Sequence, residues 1–203
     1  MFRRRPFRRP RRPPLRGRRP LPPRVRQELI SANSLMTNGQ FAEAADVFGH
    51  LSEKARQHGM LVRAADLALQ AARAHFAADD VEAALERARQ ALRLFVRGGR
   101  AGRVPLILSK MTSALREKGY AAQAERLEQE AEQALEELGL SLDEARQPAP
   151  HVAEKRGLLR PTPGQTLPAQ CSGCGAPLVP DEVEWHDAHT AECLYCGTVV
   201  KAL

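Results

Sequence analysis

Four cysteines stand in two close pairs: Cys171-Ser172-Gly173-Cys174 and Cys193-Leu194-Tyr195-Cys196. Eighteen residues separate the pairs, which gives Cys-x2-Cys-x18-Cys-x2-Cys, a spacing suited to a structural zinc site. Two intervening residues let both thiolates of a pair face one ion. The glycine after each pair, Gly175 and Gly197, suits the tight turn beneath the metal. Cys171, Cys174, Cys193 and Cys196 are therefore the expected ligands of one zinc ion, at about 2.3 Å per zinc–sulfur bond. Iron is chemically possible in the same ligand set. Four protein sulfurs leave no position for a reactive water, so hydrolytic zinc chemistry is not expected.

Residues 168–203 around these pairs resemble a zinc ribbon of the rubredoxin-like type. Short strands are expected at 176–179, 183–186 and 198–200, with Trp185 packed over the hairpin. So short a segment builds little core, so the metal is expected to supply folding energy. His186 and His189 are competing ligand candidates, but the four cysteines suffice.

The rest of the chain offers no catalytic pattern. There is no Ser/His/Asp set, no His-Glu-x-x-His, and no Gly-Lys-Ser/Thr ending after Gly98-Gly99-Arg100-Ala101-Gly102. The expectation is a protein that is not an enzyme.

The net charge of +7 is unevenly distributed. Residues 1–26 carry twelve arginines and no acid, so the remainder sums to −5. Arg3, Arg4, Arg5, Arg8, Arg9, Arg11, Arg12, Arg16, Arg18 and Arg19 alternate with prolines, which block helix and keep a self-repelling chain extended. Residues 1–24 are expected to be disordered and to bind a polyanion. That polyanion could be nucleic acid or an anionic membrane surface, and the prolines also permit polyproline-II docking.

Residues 25–140 are rich in Ala, Leu, Glu, Arg and Gln, with apolar residues at three- and four-residue spacing. Breaks at Asn38-Gly39, Gly59, Asp79-Asp80, Gly98-Gly99 and Gly119 predict helices near 25–37, 41–57, 61–77, 81–97, 104–117 and 121–138. Every second break begins a copy of one repeat. It aligns Gly39, Asp79 and Gly119, then Ala44, Ala84 and Ala124, then Phe48, Ala88 and Glu128. Arg89, Arg93, Arg97, Arg100 and Arg103 read as a solvated face. Ser141 to Glu144 reads as the cap of one short helical turn, opening a proline-rich linker over 141–166.

The string Asn38-Gly39-Gln40-Phe41-Ala42-Glu43-Ala44 with Phe48, and its copy Asp79-Asp80-Val81-Glu82-Ala83-Ala84, resemble the tetratricopeptide-repeat family over residues 27–138. The repeat is longer than the family's usual period. Leu35, His75 and Leu115 stand where the family places an aromatic. The resemblance implies an α-α solenoid of about three helix pairs that binds partners in a groove lined by the first helix of each pair. By position that groove takes in Arg26, Asn33, Arg73, Phe76, Ser109 and Arg116.

The expected architecture is thus mainly α: tail 1–24, helical repeats 25–140, linker 141–166 and a small β zinc ribbon at 167–203. No apolar run approaches membrane-spanning length, no signal peptide is evident, and paired cysteines do not make a secreted disulfide framework. A cytoplasmic adaptor that binds a partner protein is the expected function. The alternative is a nucleic-acid-associated regulator acting through its arginine tail.

Overall fold

The computed structural model describes residues 21–137, 139–146, 166–180 and 183–203. The ten tail arginines expected to bind a polyanion, residues 1–20 of the tail expected to be disordered, and most of the expected linker lie outside the described residues; Pro23 and Arg24, placed in that tail from sequence, instead open the first helix.

Seven helices and three short strands are present among the described residues. Six long helices follow the sequence breaks closely: α1 Pro23–Thr37, α2 Phe41–Gln57, α3 Leu61–Ala77, α4 Val81–Arg97, α5 Val104–Glu117 and α6 Ala121–Glu136. The short α7, Leu142–Arg146, comes after them. Strands β1 Glu184–Trp185, β2 Thr190–Glu192 and β3 Val199–Lys201 form one antiparallel sheet in the order β1-β2-β3.

The backbone repeats at half the interval read from side-chain similarity. Gly39, Gly59, Asp79, Gly99, Gly119 and Gly139 all have positive φ, between 59° and 87°. Each closes the helix before it in the same way. The amide of Gly39 donates to the Met36 carbonyl and that of Gln40 to the Leu35 carbonyl, and the other five turns repeat both bonds at the same offsets. The residue after the left-handed position also starts the next helix, as when the Ala44 amide donates to the Gln40 carbonyl at 3.0 Å. Asp79 is the one non-glycine residue in this set, and its neighbour Asp80 caps α4 by accepting from the Ala83 amide at 3.1 Å.

Small residues set the packing. Ala44, Ala64, Ala84, Val104 and Ala124 recur at the backbone interval, and all are buried. Helix α3 buries Ala64, Ala65, Ala68, Ala71, Ala72 and Ala74, so it lies tightly between α2 and α4. Phe48 and Phe95 fill the space beside these alanines; each such side chain contributes about 1.5–3 kcal/mol on burial. In the third copy of the repeat Glu128 is only half-buried, and the neighbouring Leu127 takes its place in the core.

The regular stacking loosens after α4. A 3-10 turn, Ala101–Arg103, delays α5 until Val104, with Pro105 in its first turn. Helix α5 consequently touches α4 lightly, and α6 makes more of the contact with α4. Arg103, read from sequence as solvated, instead reaches back to α3. Its Nη1 lies 2.6 Å from Oδ1 of buried Asp66, and its guanidinium stacks 4.7 Å over the Phe95 ring. Arg89 of the same sequence cluster pairs with Glu130 of α6.

Helix α7 begins in a reciprocal cap. The Ser141 amide donates to Glu144 Oε2 at 2.8 Å, and the Glu144 amide donates to Ser141 Oγ at 3.1 Å.

The expected strand at 176–179 is replaced by a single bridge between Gln170 and Pro177. Proline removes a donor there, so the pairing cannot extend into a ladder. The sheet takes Thr190–Glu192 instead, with Trp185 opposite Ala191 and Ala191 opposite Val200. Trp185 packs against the core and donates its indole N–H to the Pro180 carbonyl at 3.0 Å.

Candidate metal centre and the face that holds it

Two turns of the same form present the cysteines. In the first, the Gly175 amide donates to the Cys171 carbonyl at 2.8 Å, with Gly175 at φ 74°. In the second, the Gly197 amide donates to the Cys193 carbonyl at 2.9 Å, with Gly197 at φ 75°. Left-handed glycine lets the chain turn sharply away after the second sulfur of each pair. Cys174 and Cys193 are fully enclosed, and Cys171 and Cys196 are buried.

All four Sγ atoms lie within 4.8 Å of one another. Cys171 Sγ is 3.6 Å from Cys196 Sγ, and Cys174 Sγ is 3.8 Å from Cys193 Sγ. A disulfide requires about 2.05 Å, so these are four free thiols. A tetrahedron of sulfurs around an ion at about 2.3 Å has edges of about 3.8 Å, which these distances match. Among the described residues the four cysteines are the only His/Cys/Asp/Glu group that could hold a metal ion. His186 belongs elsewhere, with Nε2 at 3.0 Å from Oε2 of buried Glu192.

The four crowded thiols also shift one another's ionisation. Hydrogen bonding with Cys174 pulls the Cys171 thiol down to about 6, and Cys196 is pulled down as well, chiefly by Cys171. Cys174 and Cys193 are pushed up, each led by its interaction with Cys171. Crowded sulfurs compete for negative charge, so only part of the set ionises on its own. A divalent ion at the centre allows four thiolates together.

Smaller contacts fix the sulfurs. The Gly173 amide donates to Cys171 Sγ at 3.3 Å, and Thr198 Oγ1 lies 3.1 Å from Cys196 Sγ. Thr198 leaves no room at Gly173. A Cβ there would stand 2.0 Å from Thr198 Oγ1. Tyr195, at the equivalent place in the second turn, carries a large side chain that reaches out to the helices.

The first turn docks on the helical array. Arg26 Nε of α1 donates to the Gly173 carbonyl at 2.6 Å. Asn33 Nδ2 donates to the Cys174 carbonyl at 2.9 Å and to the Leu29 carbonyl at 2.8 Å. From α3, buried Gln70 donates through Nε2 to the Tyr195 hydroxyl.

The six groove residues expected from the sequence therefore divide. Arg26 and Asn33 meet the chain's own cysteine turn, not a partner. Arg73 and Phe76 line a cavity of about 150 Å³ between α3, α4 and α5. Ser109 and Arg116 line neither feature: Ser109 is exposed, and Arg116 Nη2 pairs with Glu128 at 2.8 Å. Sequence reasoning missed Gln70, Gly173, Thr198 and Tyr195. A glycine inside only one of two otherwise similar turns was the available signal for close approach.

No family model matches the chain, and no curated protein or solved structure matches it. Among the described residues no helix is long and apolar enough to cross a membrane.

Proposed function

We propose that this protein is a non-enzymatic adaptor. Its helical array holds a segment of a partner protein, a structural zinc ion closes the cysteine centre, and the arginine tail holds a polyanion. The observation that carries this reading is the Asn33–Cys174 bond, which builds the four-sulfur centre into the flank of a helical array. A centre with four protein sulfurs, enclosed and docked in this way, favours holding a shape over turning over a substrate. Zinc is supported by the ligand type, the spacing and the tetrahedral edges. A set of thiols reserved for metal suits a reducing compartment, which supports a cytoplasmic location.

Two measurements test this. Metal analysis of the full chain should give one zinc per molecule, and none would remove the centre from the proposal. Affinity purification of the cross-linked full chain from its own cells should recover a discrete protein that survives RNase treatment. Recovery of nothing above background would refute the adaptor.

A second reading rests on the twelve arginines in residues 1–26. In it the protein is a nucleic-acid-associated regulator, and the tail supplies the affinity. Binding to RNA or DNA should then weaken by about 0.9 log units per phosphate contact per decade of salt. Deleting residues 1–20, which leaves α1 intact, should abolish it. Unchanged affinity after the deletion would end this reading.

A further inference from the structure

Three bonds tie the cysteine centre to the helices, and they fall on the groups that shape the centre itself. The carbonyls that accept from Arg26 and Asn33, those of Gly173 and Cys174, belong to the two peptide planes on either side of the Cys174 Cα. The second of these planes also carries the Gly175 amide, which closes the turn on the Cys171 carbonyl at 2.8 Å. Asn33 and the turn thus hold the two ends of one peptide unit. Tyr195 stands between the two cysteines of the other pair, and its hydroxyl accepts from Gln70 of α3. Asn33 and Gln70 are both buried. Cys171, Cys174 and Tyr195 belong to the same buried cluster as Leu29 and Ala32 of α1.

We infer that the two cysteine turns are a zinc-held cover on the face formed by α1 and α3, with Arg26, Asn33 and Gln70 as positioning residues of the metal centre. The inference rests on the adaptor reading with its zinc centre, and it states how access to the adaptor's face is regulated. So short a segment has too little core to keep its turns without the ion. The helices differ: α1 packs on α2, and α3 packs on both α2 and α4, so they persist without it. Withdrawal of zinc therefore removes the acceptors and leaves the three donors in place, bare. Binding of zinc and docking on the helices strengthen each other by the same factor. Arg26 and Asn33 cannot serve the cover and a partner at once, so the loaded chain keeps this end of the array closed.

The test uses the full chain, loaded with zinc or stripped of it, and zinc alone as the ligand. Affinity is read by competition against a chromophoric chelator. Asn33→Ala and Gln70→Ala should each weaken zinc binding about ten- to hundredfold, the usual effect of removing a group that orients a metal ligand. Arg26→Ala should weaken it less, because Arg26 is exposed. Arg116→Ala, which breaks the pair with Glu128 on α5 and α6, should leave it unchanged. Thermal unfolding separates positioning from general damage. Asn33→Ala and Gln70→Ala should lower the midpoint of the loaded chain and not that of the zinc-free chain, because the bonds they remove exist only in the loaded form. In small-angle X-ray scattering, stripping zinc from the wild type should raise the radius of gyration with helical circular dichroism retained, and restoring zinc should reverse the change.

Three results would overturn the inference: zinc affinities of Asn33→Ala and Gln70→Ala equal to the wild type, a midpoint loss as large without zinc as with it, or a radius of gyration indifferent to zinc. If a cellular partner is recovered in equal yield by the loaded and the zinc-free chain, the adaptor stands and the regulation falls. If zinc and docking are coupled as described but no partner is recovered, the cover stands and the adaptor falls.

Discussion

Replacing Gly173 by alanine adds one carbon inside the first cysteine turn. On the present backbone that carbon stands 2.0 Å from Thr198 Oγ1, 2.8 Å from Thr198 Cβ and 3.1 Å from Cys196 Sγ. Gly173 is not among the residues of positive φ, so alanine meets no backbone penalty and the cost is purely steric. Thr198 has little freedom to yield. Its Oγ1 sits against Cys196 Sγ, and its carbonyl accepts the Cys193 amide at 3.0 Å. Overpacking of this kind costs about 1–3 kcal/mol. Folding of the turn and binding of the ion are one equilibrium. The cost should therefore appear as zinc affinity weakened by about five- to 150-fold. Competition against a chromophoric chelator at fixed pH reads that ratio on the full chain. Thr198→Gly removes both of the nearest atoms, so Gly173→Ala should cost much less in that background than in the wild type. An affinity within twofold of wild type for the single variant would refute the packing argument. So would equal losses in the two backgrounds.

The docking bonds make a separate prediction. Asn33→Ala leaves the enclosed Cys174 carbonyl without its donor and should lower stability by about 1–3 kcal/mol in urea unfolding. Asn33→Asp, which turns an acceptor toward two carbonyls, should cost more than the alanine variant. Chelation of the metal should leave most helical circular dichroism intact while amide exchange rises around Arg26–Asn33 and not in α6; uniform protection would contradict the docked arrangement. Asp66→Asn weakens the pairing with Arg103 and should lower the thermal midpoint measurably, and an unchanged midpoint would make that buried pair irrelevant to folding. Glu144 is held below its ordinary range by the Ser141 amide and then by the Ser141 hydroxyl. The α7 cap is therefore fully present above the ordinary carboxylate range and is lost as pH falls through the depressed value. Protection factors of the Glu144 and Ala145 amides, taken against the intrinsic exchange rate at each pH, should fall there, and constant protection would contradict the cap.

The parts of this fold that were legible are those written in local chemistry. A residue at positive φ is costly for most side chains, so glycine marks five of the six repeated helix ends and Asp79 the other, and the helix bounds followed from that. The repeat was read at twice its backbone interval because side-chain identity is held only loosely from one turn to the next, while the backbone turn is the same at each. Phe48 has alanine at its equivalents, Ala68 and Ala88. The cysteine centre was legible because two-residue spacing alone brings two sulfurs to one point. Asp66, set in the run Ala64-Ala65-Asp66-Leu67-Ala68, carried a readable signal of a buried pair, but its partner Arg103 stands on the far side of α4 in the chain. No local pattern names a partner at that distance.

Arg26 and Asn33 turn to the chain's own cysteine turn for a reason that local pattern does not carry. A polar side chain on a helix face looks the same in sequence whether it meets solvent, a partner or its own chain. What decides here is how a cysteine turn spends its hydrogen bonds. Amides such as that of Gly173 point inward to sulfur, which leaves carbonyls such as those of Gly173 and Cys174 facing out. Such a surface needs donors, and α1 supplies two, Arg26 Nε and Asn33 Nδ2, while Gln70 Nε2 of α3 donates to the Tyr195 hydroxyl of the second turn. A filled four-thiolate zinc centre also carries a net charge of about −2, which places the Arg26 guanidinium beside an anion of this chain's own making. With the centre filled, the arginine that looked ready to grip an acidic partner would face an anion within its own chain.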